Sequence, residues 1–141
     1  KRPNNVDVEY GLLLGGVPVD IAVTTERLTN SLRVFGLPEM QPIDNGGIPV
    51  FEGEELRAPM GIALYKRPSD QAIFAIVSRK DGPTDGTYLW QYQLQDDGTG
   101  KVKGVKVRQF GNYSGNKEIE AIAVDENSAN ILVENNLLPA R

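Results

Sequence analysis

The chain has no cysteine and no histidine. Without them it can build no thiolate nucleophile, no Ser-His-Asp triad, no disulfide framework and no ordinary zinc site. Any metal it holds must be hard and oxygen-ligated, which points to calcium or magnesium. A cysteine-free chain also fits an extracellular or periplasmic setting. Long apolar runs are missing as well. No stretch approaches the roughly 20 residues of a membrane helix, so no membrane partner is expected. The opening Lys1-Arg2-Pro3 is followed by no apolar h-region and does not read as a signal peptide. Basic character is scarce: 15 Lys and Arg stand against 19 Asp and Glu. With no basic stripe interleaved with aromatics, nucleic acid is not an expected partner.

What the sequence does hold is period-two alternation, and no segment shows a clear helical period. Val6, Val8, Tyr10 and Leu12 alternate with Asp7, Glu9, Gly11 and Leu13. Gly15-Gly16 then turns the chain into Val17, Val19, Ile21 and Val23, a β-hairpin signature. A second unit runs from Gly61–Tyr65 through Arg67-Pro68-Ser69-Asp70 into Ala72–Val77, and a third from Ala121–Asp125 into Asn130–Val133. The hairpins recur at about 55 to 60 residues, the period of a propeller or array. The middle unit continues through Tyr88–Leu94, the turn Asp96-Asp97-Gly98-Thr99-Gly100 and Val105–Phe110. Four strands of this kind make one propeller blade. The expected fold is all-β, a β-propeller of four-stranded antiparallel blades. Residues 1–37 form most of one blade, 38–59 an inter-blade loop with one short strand near Ile48–Phe51, 60–110 a complete blade, and 111–141 the start of a third. A β-sandwich is the competing architecture. Tyr88, Trp90 and Tyr92 share one strand face and are expected to pack rather than bind.

The same stretches resemble the β-propeller phytases. Asn4-Asn5-Val6-Asp7-Val8-Glu9-Tyr10 is similar to that family's NNVD-x-x-Y segment, and Val19-Asp20-Ile21-Ala22 with Glu26-Arg27 to its VDIA segment and downstream Asn-Arg pair. Gly61–Tyr65, Ser78 to Gly82, Gln91–Leu94, Lys106–Phe110 and Ile119–Asp125 continue the likeness in order over about residues 3–126. Three departures stand out: Glu26 replaces Asn, Asp81 replaces Glu, and Met60 stands where tyrosine is frequent.

The resemblance implies a longer, six-bladed ring of which this chain is a piece of about two and a half blades. It implies a secreted or periplasmic, calcium-dependent 3-phytase, which cleaves phosphomonoesters of myo-inositol hexakisphosphate or other inositol phosphates by attack of metal-bound water. Carried over by motif, Arg27 and Lys80 hold substrate phosphate, with Arg79 able to replace Lys80 if the register slips by one. Asp81 and Glu120 are the catalytic carboxylates, and Glu120, Asp81 and the backbone carbonyl of Val6 are the calcium ligands. Read without the resemblance, Arg27 is a solvated loop arginine and Lys80-Asp81-Gly82-Pro83 an ordinary turn. A non-catalytic binding module and a truncated product that keeps the fold without activity are the other two readings. An incomplete ring is expected to be inactive alone and to self-associate through open blade edges.

Overall fold

In the computed structural model, residues 6–81, 83, 85–111, 121–125 and 130–134 are described. They are all-β, arranged as meandering antiparallel sheets in the manner of propeller blades. The first sheet contains β1 (Val6–Leu14), β2 (Val17–Glu26) and β3 (Ser31–Gly36). Two-residue strands β4 (Gln41–Pro42) and β5 (Ile48–Pro49) both pair with β3. The second sheet runs in order through β6 (Pro59–Lys66), β7 (Ile73–Arg79), β8 (Leu89–Asp96) and β9 (Val102–Phe110). A hairpin, β10 (Ala121–Asp125) with β11 (Asn130–Glu134), forms the third.

Local chemistry explains each turn. Leu14 pairs with Val17, leaving Gly15 and Gly16 as a two-residue loop with φ of 60° and 80°. Two consecutive positive φ values match the right-handed strand twist, and glycine adopts them without a Cβ penalty. In the β8–β9 turn, the Asp97 carboxylate accepts from Thr99 N at 2.8 Å and from Thr99 Oγ1 at 2.7 Å. The stretch 38–59 differs from a plain loop, because it supplies both short partners of β3. Pairing runs one bond past each proline, since Ile43 N donates to Val34 O and Val50 N to Asn30 O, both at 3.0 Å; beyond Pro42 it stops where Val34 N is taken by the Asp44 carboxylate.

Packing follows the order of strands. β6 is buried along its length except at Lys66, β7 is buried throughout, and β9 is largely exposed. The first strands of the units stand together, β1 beside β6 and β6 beside β10. Leu12, Leu14, Ile21 and Val23 from the first sheet meet Ile62, Leu64, Ala75 and Val77 from the second in one apolar core. Tyr88, Trp90 and Tyr92 are buried in the second sheet. A polar strut crosses between the sheets: Leu64 N donates to Asp7 Oδ2 at 2.9 Å. On the other face of β1, Val6, Val8, Tyr10 and Leu13 form an exposed apolar row.

Asp44 fastens the 38–59 stretch to the first sheet. Its carboxylate, fully enclosed, accepts from Arg33 Nε at 2.8 Å, Arg33 Nη2 at 3.2 Å, Val34 N at 2.7 Å and Gly46 N at 3.2 Å. Burial pushes the Asp44 carboxyl up, but the Arg33 and backbone hydrogen bonds outweigh it and hold it below the ordinary carboxylate range. The unfolded chain therefore binds this proton more readily, and stability from Asp44 is lost as pH falls below about 4. Asp44→Asn is expected to cost about 2–3 kcal/mol at neutral pH and to flatten the acid limb of stability, measured by urea unfolding between pH 3 and 7. An acid limb identical to that of the parent would refute the assignment.

Candidate functional site

The rim of the two sheets gathers most of the residues singled out by motif. Val6 opens β1 opposite Thr24, so the start of β1 and the end of β2 share one end of the first sheet. Pro59 pairs with Arg79, so the start of β6 and the end of β7 share one end of the second. Thr25 Oγ1 donates to Met60 O at 3.2 Å and joins the two ends. Arg27 follows β2 directly, and Lys80-Asp81 follow β7. The structure thus sets Val6, Arg27, Lys80 and Asp81 at the same end of the strands. Glu120 lies outside the described residues.

A short chain of hydrogen bonds ties this rim together. Asn30 N donates to Arg27 O at 3.3 Å, closing the β2–β3 turn. Val50 N donates to Asn30 O at 3.0 Å, and Val50 O in turn accepts from Arg57 Nε at 3.1 Å. One residue on, Ala58 O accepts from Lys80 N at 2.7 Å. Asn30, Glu55, Leu56, Arg57, Ala58 and Asp81 line an opening of about 290 Å³. Lys80 Nζ stands 4.0 Å from Asp81 Oδ2, both side chains being substantially exposed. A pair so exposed adds little to stability. Sequence patterning gave no reason to single out Arg57, since it sits in a proline- and glycine-rich stretch without periodicity.

Arg79 belongs to a different layer, and here the expectation that it could stand in for Lys80 is corrected. Its side chain is 2% exposed. Nη1 donates to Leu56 O at 3.2 Å and stands 3.2 Å from Glu54 Oε1; Nη2 donates to Thr87 O at 2.6 Å. The guanidinium lies 4.6 Å over the Phe51 ring and 5.7 Å from that of Trp90. Tyr88 OH donates to Arg79 O at 2.8 Å. In β7 position 79 shares the side of Ile73, Ala75 and Val77, which face the core, whereas Lys80 leaves the strand. Arg79 is the bolt beneath the rim, joining the 54–56 segment to the loop after β7.

The rim loop carries local strain to match. Phe51 is fully buried at φ 53°, a conformation that costs a residue with a Cβ about 1 kcal/mol or more. Phe51 N donates to Tyr92 OH at 2.9 Å, and the rings of Phe51 and Trp90 stand 5.2 Å apart. Burial raises the Tyr92 phenol to about 12, so it stays neutral while it accepts that bond. Asp85 on the far side is held below the ordinary carboxylate range by the Thr87 hydroxyl, helped by Thr87 N–H.

The charge pattern separates rim from framework. Arg33 faces Asp44, Arg67 faces Asp70 and Arg79 faces Glu54. Arg108 donates to Gln91 Oε1 at 2.6 Å and lies over Phe110. Among the described residues, Arg27 and Arg57 have no carboxylate partner within ion-pair distance. Arg27 follows β2 at the strand end where Lys80 follows β7, and Arg57 precedes Ala58, whose carbonyl accepts from Lys80 N. As to metal, Asp81 and Glu55 line one opening and offer the hard oxygens a calcium ion takes. Among the described residues no group of three or more acidic side chains is poised around a single point. The Asp81 and Glu55 carboxylates are oxygen donors of the type calcium takes.

Comparison with known proteins places these observations. A family model described as phytase matches residues 1–136. The chain is also similar to a protein named 3-phytase from Bacillus subtilis (strain 168), 28% identical over 136 residues. That match covers 92% of this chain and 33% of the relative, so the chain spans about a third of the length of the curated relative it matches.

Proposed function

The chain belongs to the phytase family, and on that footing we propose that it supplies part of the active site of a calcium-dependent phosphomonoesterase acting on inositol phosphates. The observation that carries this reading is that Arg27, on the rim shared with Lys80 and Asp81, has no carboxylate partner within ion-pair distance among the described residues. A polyphosphorylated substrate needs fixed cations, and arginine without a carboxylate partner keeps its fork for phosphate oxygens. Arg27 binds a phosphate group through that fork, and Lys80 adds a second positive charge from the neighbouring blade. Asp81, whose Oδ2 stands 4.0 Å from Lys80 Nζ, would orient the ammonium and be one of the carboxylates holding the metal. Glu120 and the Val6 carbonyl complete the proposed calcium ligands. Calcium, when bound, neutralises phosphate oxygens and acidifies a coordinated water.

The apolar row Val6, Val8, Tyr10 and Leu13 belongs to the same proposal. Such a row is covered when a ring of blades closes, and until then it favours self-association. Activity is accordingly assigned to the closed ring. The secreted or periplasmic setting is proposed with it, on the ground that such an enzyme meets its substrate outside the cytoplasm. Among the described residues no helix is long and apolar enough to cross a membrane.

Phosphate release from phytate by the full-length protein tests the reading. We expect release with calcium present, its loss on chelation and its return on adding calcium back. The melting temperature should rise with calcium, because a metal bound only by the folded state stabilises it. Residues 1–141 alone are expected to release no phosphate at an enzyme-like rate. A full-length protein that binds phytate and never cleaves it would instead favour a binding module.

A further inference from the structure

We propose that Asn45 is a site of spontaneous deamidation held in check by Asp97, and that its conversion to aspartate or isoaspartate unfastens the 43–47 turn from the second sheet. The chemistry needs nothing from the phosphatase reading. Of the asparagines in this chain only Asn45 precedes a glycine, and a second glycine follows. In the first step the Gly46 backbone nitrogen gives its proton to solvent and attacks Asn45 Cγ. A Cγ–N bond forms, the Cγ–Nδ2 bond breaks, and Nδ2 takes up a proton and leaves as ammonia. Water then opens the cyclic imide at either carbonyl and gives aspartate or isoaspartate. Residue 46 has no Cβ to obstruct ring closure, and nothing stands within 4 Å of where one would be. Asn45 and Gly46 are both exposed, so water and base reach them.

The fold holds this reaction back. Gly47 N donates to Asp44 O at 3.0 Å and closes a turn around Asn45 and Gly46. Their φ values are 53° and 90°, the positive pair that Asn-Gly adopts readily. The nucleophile, Gly46 N, donates to Asp44 Oδ1 at 3.2 Å, and a carboxylate facing that N–H opposes loss of its proton. The leaving group, Asn45 Nδ2, donates to Asp97 Oδ2 at 2.8 Å, across to the β8–β9 turn. Asp97 is charged at neutral pH, because the Thr99 hydroxyl first, then Thr99 N–H and the Asn45 amide, hold its carboxyl down to about 2. Cyclisation must swing the amide away from Asp97 and free Gly46 N from Asp44, so it waits for the turn to open. The product cannot restore the clasp. A carboxylate at position 45 meets Asp97 where an amide donated, and repulsion replaces a hydrogen bond. Isoaspartate also adds a methylene to the backbone of a four-residue turn. Ile43 O still accepts from Val102 N at 2.7 Å, so the segment keeps one tie to the second sheet and the damage is local.

Peptide mapping by mass spectrometry of the full-length protein, aged in mildly alkaline buffer, tests this. In urea, where the turn is gone, Asn45 should deamidate about tenfold faster than Asn30, which precedes serine. In the folded protein Asn45 should react about tenfold more slowly than in urea. Asp97→Ser removes the charge while serine still suits the turn, and it should speed the folded protein's reaction about threefold. Asn45→Asp mimics the product. It should lower the melting temperature by about 2 °C in the parent, and by about a quarter of that beside Asp97→Ser. Asn45→Gly accepts the φ of 53° and cannot cyclise, so it should hold its melting temperature through the ageing that lowers the parent's. Equal rates at Asn45 and Asn30 in urea would overturn the site. A rate at Asn45 unchanged both by folding and by Asp97→Ser would overturn the guard. An Asn45→Asp loss of the same size with and without Asp97 would overturn the unfastening.

Discussion

Arg79→Met is expected to lower the unfolding free energy by about 3–5 kcal/mol, the largest stability loss of any single substitution at the rim. The guanidinium makes three kinds of contact that methionine cannot replace. It donates to the carbonyls of Leu56 and Thr87, faces Glu54 at 3.2 Å, and lies over Phe51 at 4.6 Å. Truncation leaves the carbonyls of Leu56 and Thr87 short of a donor in a partly buried place, while the Glu54 carboxylate, 36% exposed, keeps access to water. Methionine recovers some of the contact with Phe51 and Trp90, so the loss is electrostatic more than steric. Lysine should recover only part, since an ammonium cannot serve carbonyls on both sides of a planar fork. Urea unfolding of the full-length protein measures the effect. A loss below 1 kcal/mol would mean that the 54–56 segment is held by other contacts.

That same arginine shows what alternation can and cannot reveal. Ile73, Ala75 and Val77 mark the inward side of β7, and counting by two puts position 79 with them. The buried place of Arg79 was therefore legible in its strand, although its charge and its neighbour Lys80 argued for the rim. The strands of the second sheet were legible for the same reason, since Ile62 and Leu64 or Trp90 and Tyr92 recur at the period of a buried face. In the stretch 43–57 only the short strand at Ile48–Pro49 was, within the expected Ile48–Phe51. The stretch is held by Asp44 on Arg33, Tyr92 on Phe51 and Arg79 on Glu54, contacts between residues 11 to 41 positions apart. Such contacts leave no periodic trace, and the strained φ of Phe51 has no signature in residue type. Arg57 was invisible on both counts. Gly104 is a further case: a Cβ there would stand 2.7 Å from Ile48 Cγ2, so β9 needs a glycine only because the loop packs on it.

In the full-length protein, Arg27→Ala is expected to reduce kcat/KM for phytate about 100- to 1000-fold, the scale for removing one positioned donor from developing charge. The argument begins with what Arg27 does not do. It makes no ion pair among the described residues and follows β2 at the turn where Asn30 N closes on its carbonyl. Removing its side chain should therefore leave the fold nearly intact, and melting temperature should move by no more than about 2 °C. Arg33→Ala is the informative contrast. Arg33 spends its fork on Asp44 at 2.8 Å and 3.2 Å, inside the first sheet. Its loss should cost stability and leave kcat/KM within a few-fold wherever the protein stays folded. Arg27→Lys should restore charge without the planar fork and recover part of the rate. Two arginines six residues apart in one sheet would then separate cleanly, one by activity and the other by stability. An Arg27→Ala protein that retains more than a third of parental kcat/KM would break the link between the unpaired guanidinium and phosphate binding, and the rim would lose its main claim to be the active site.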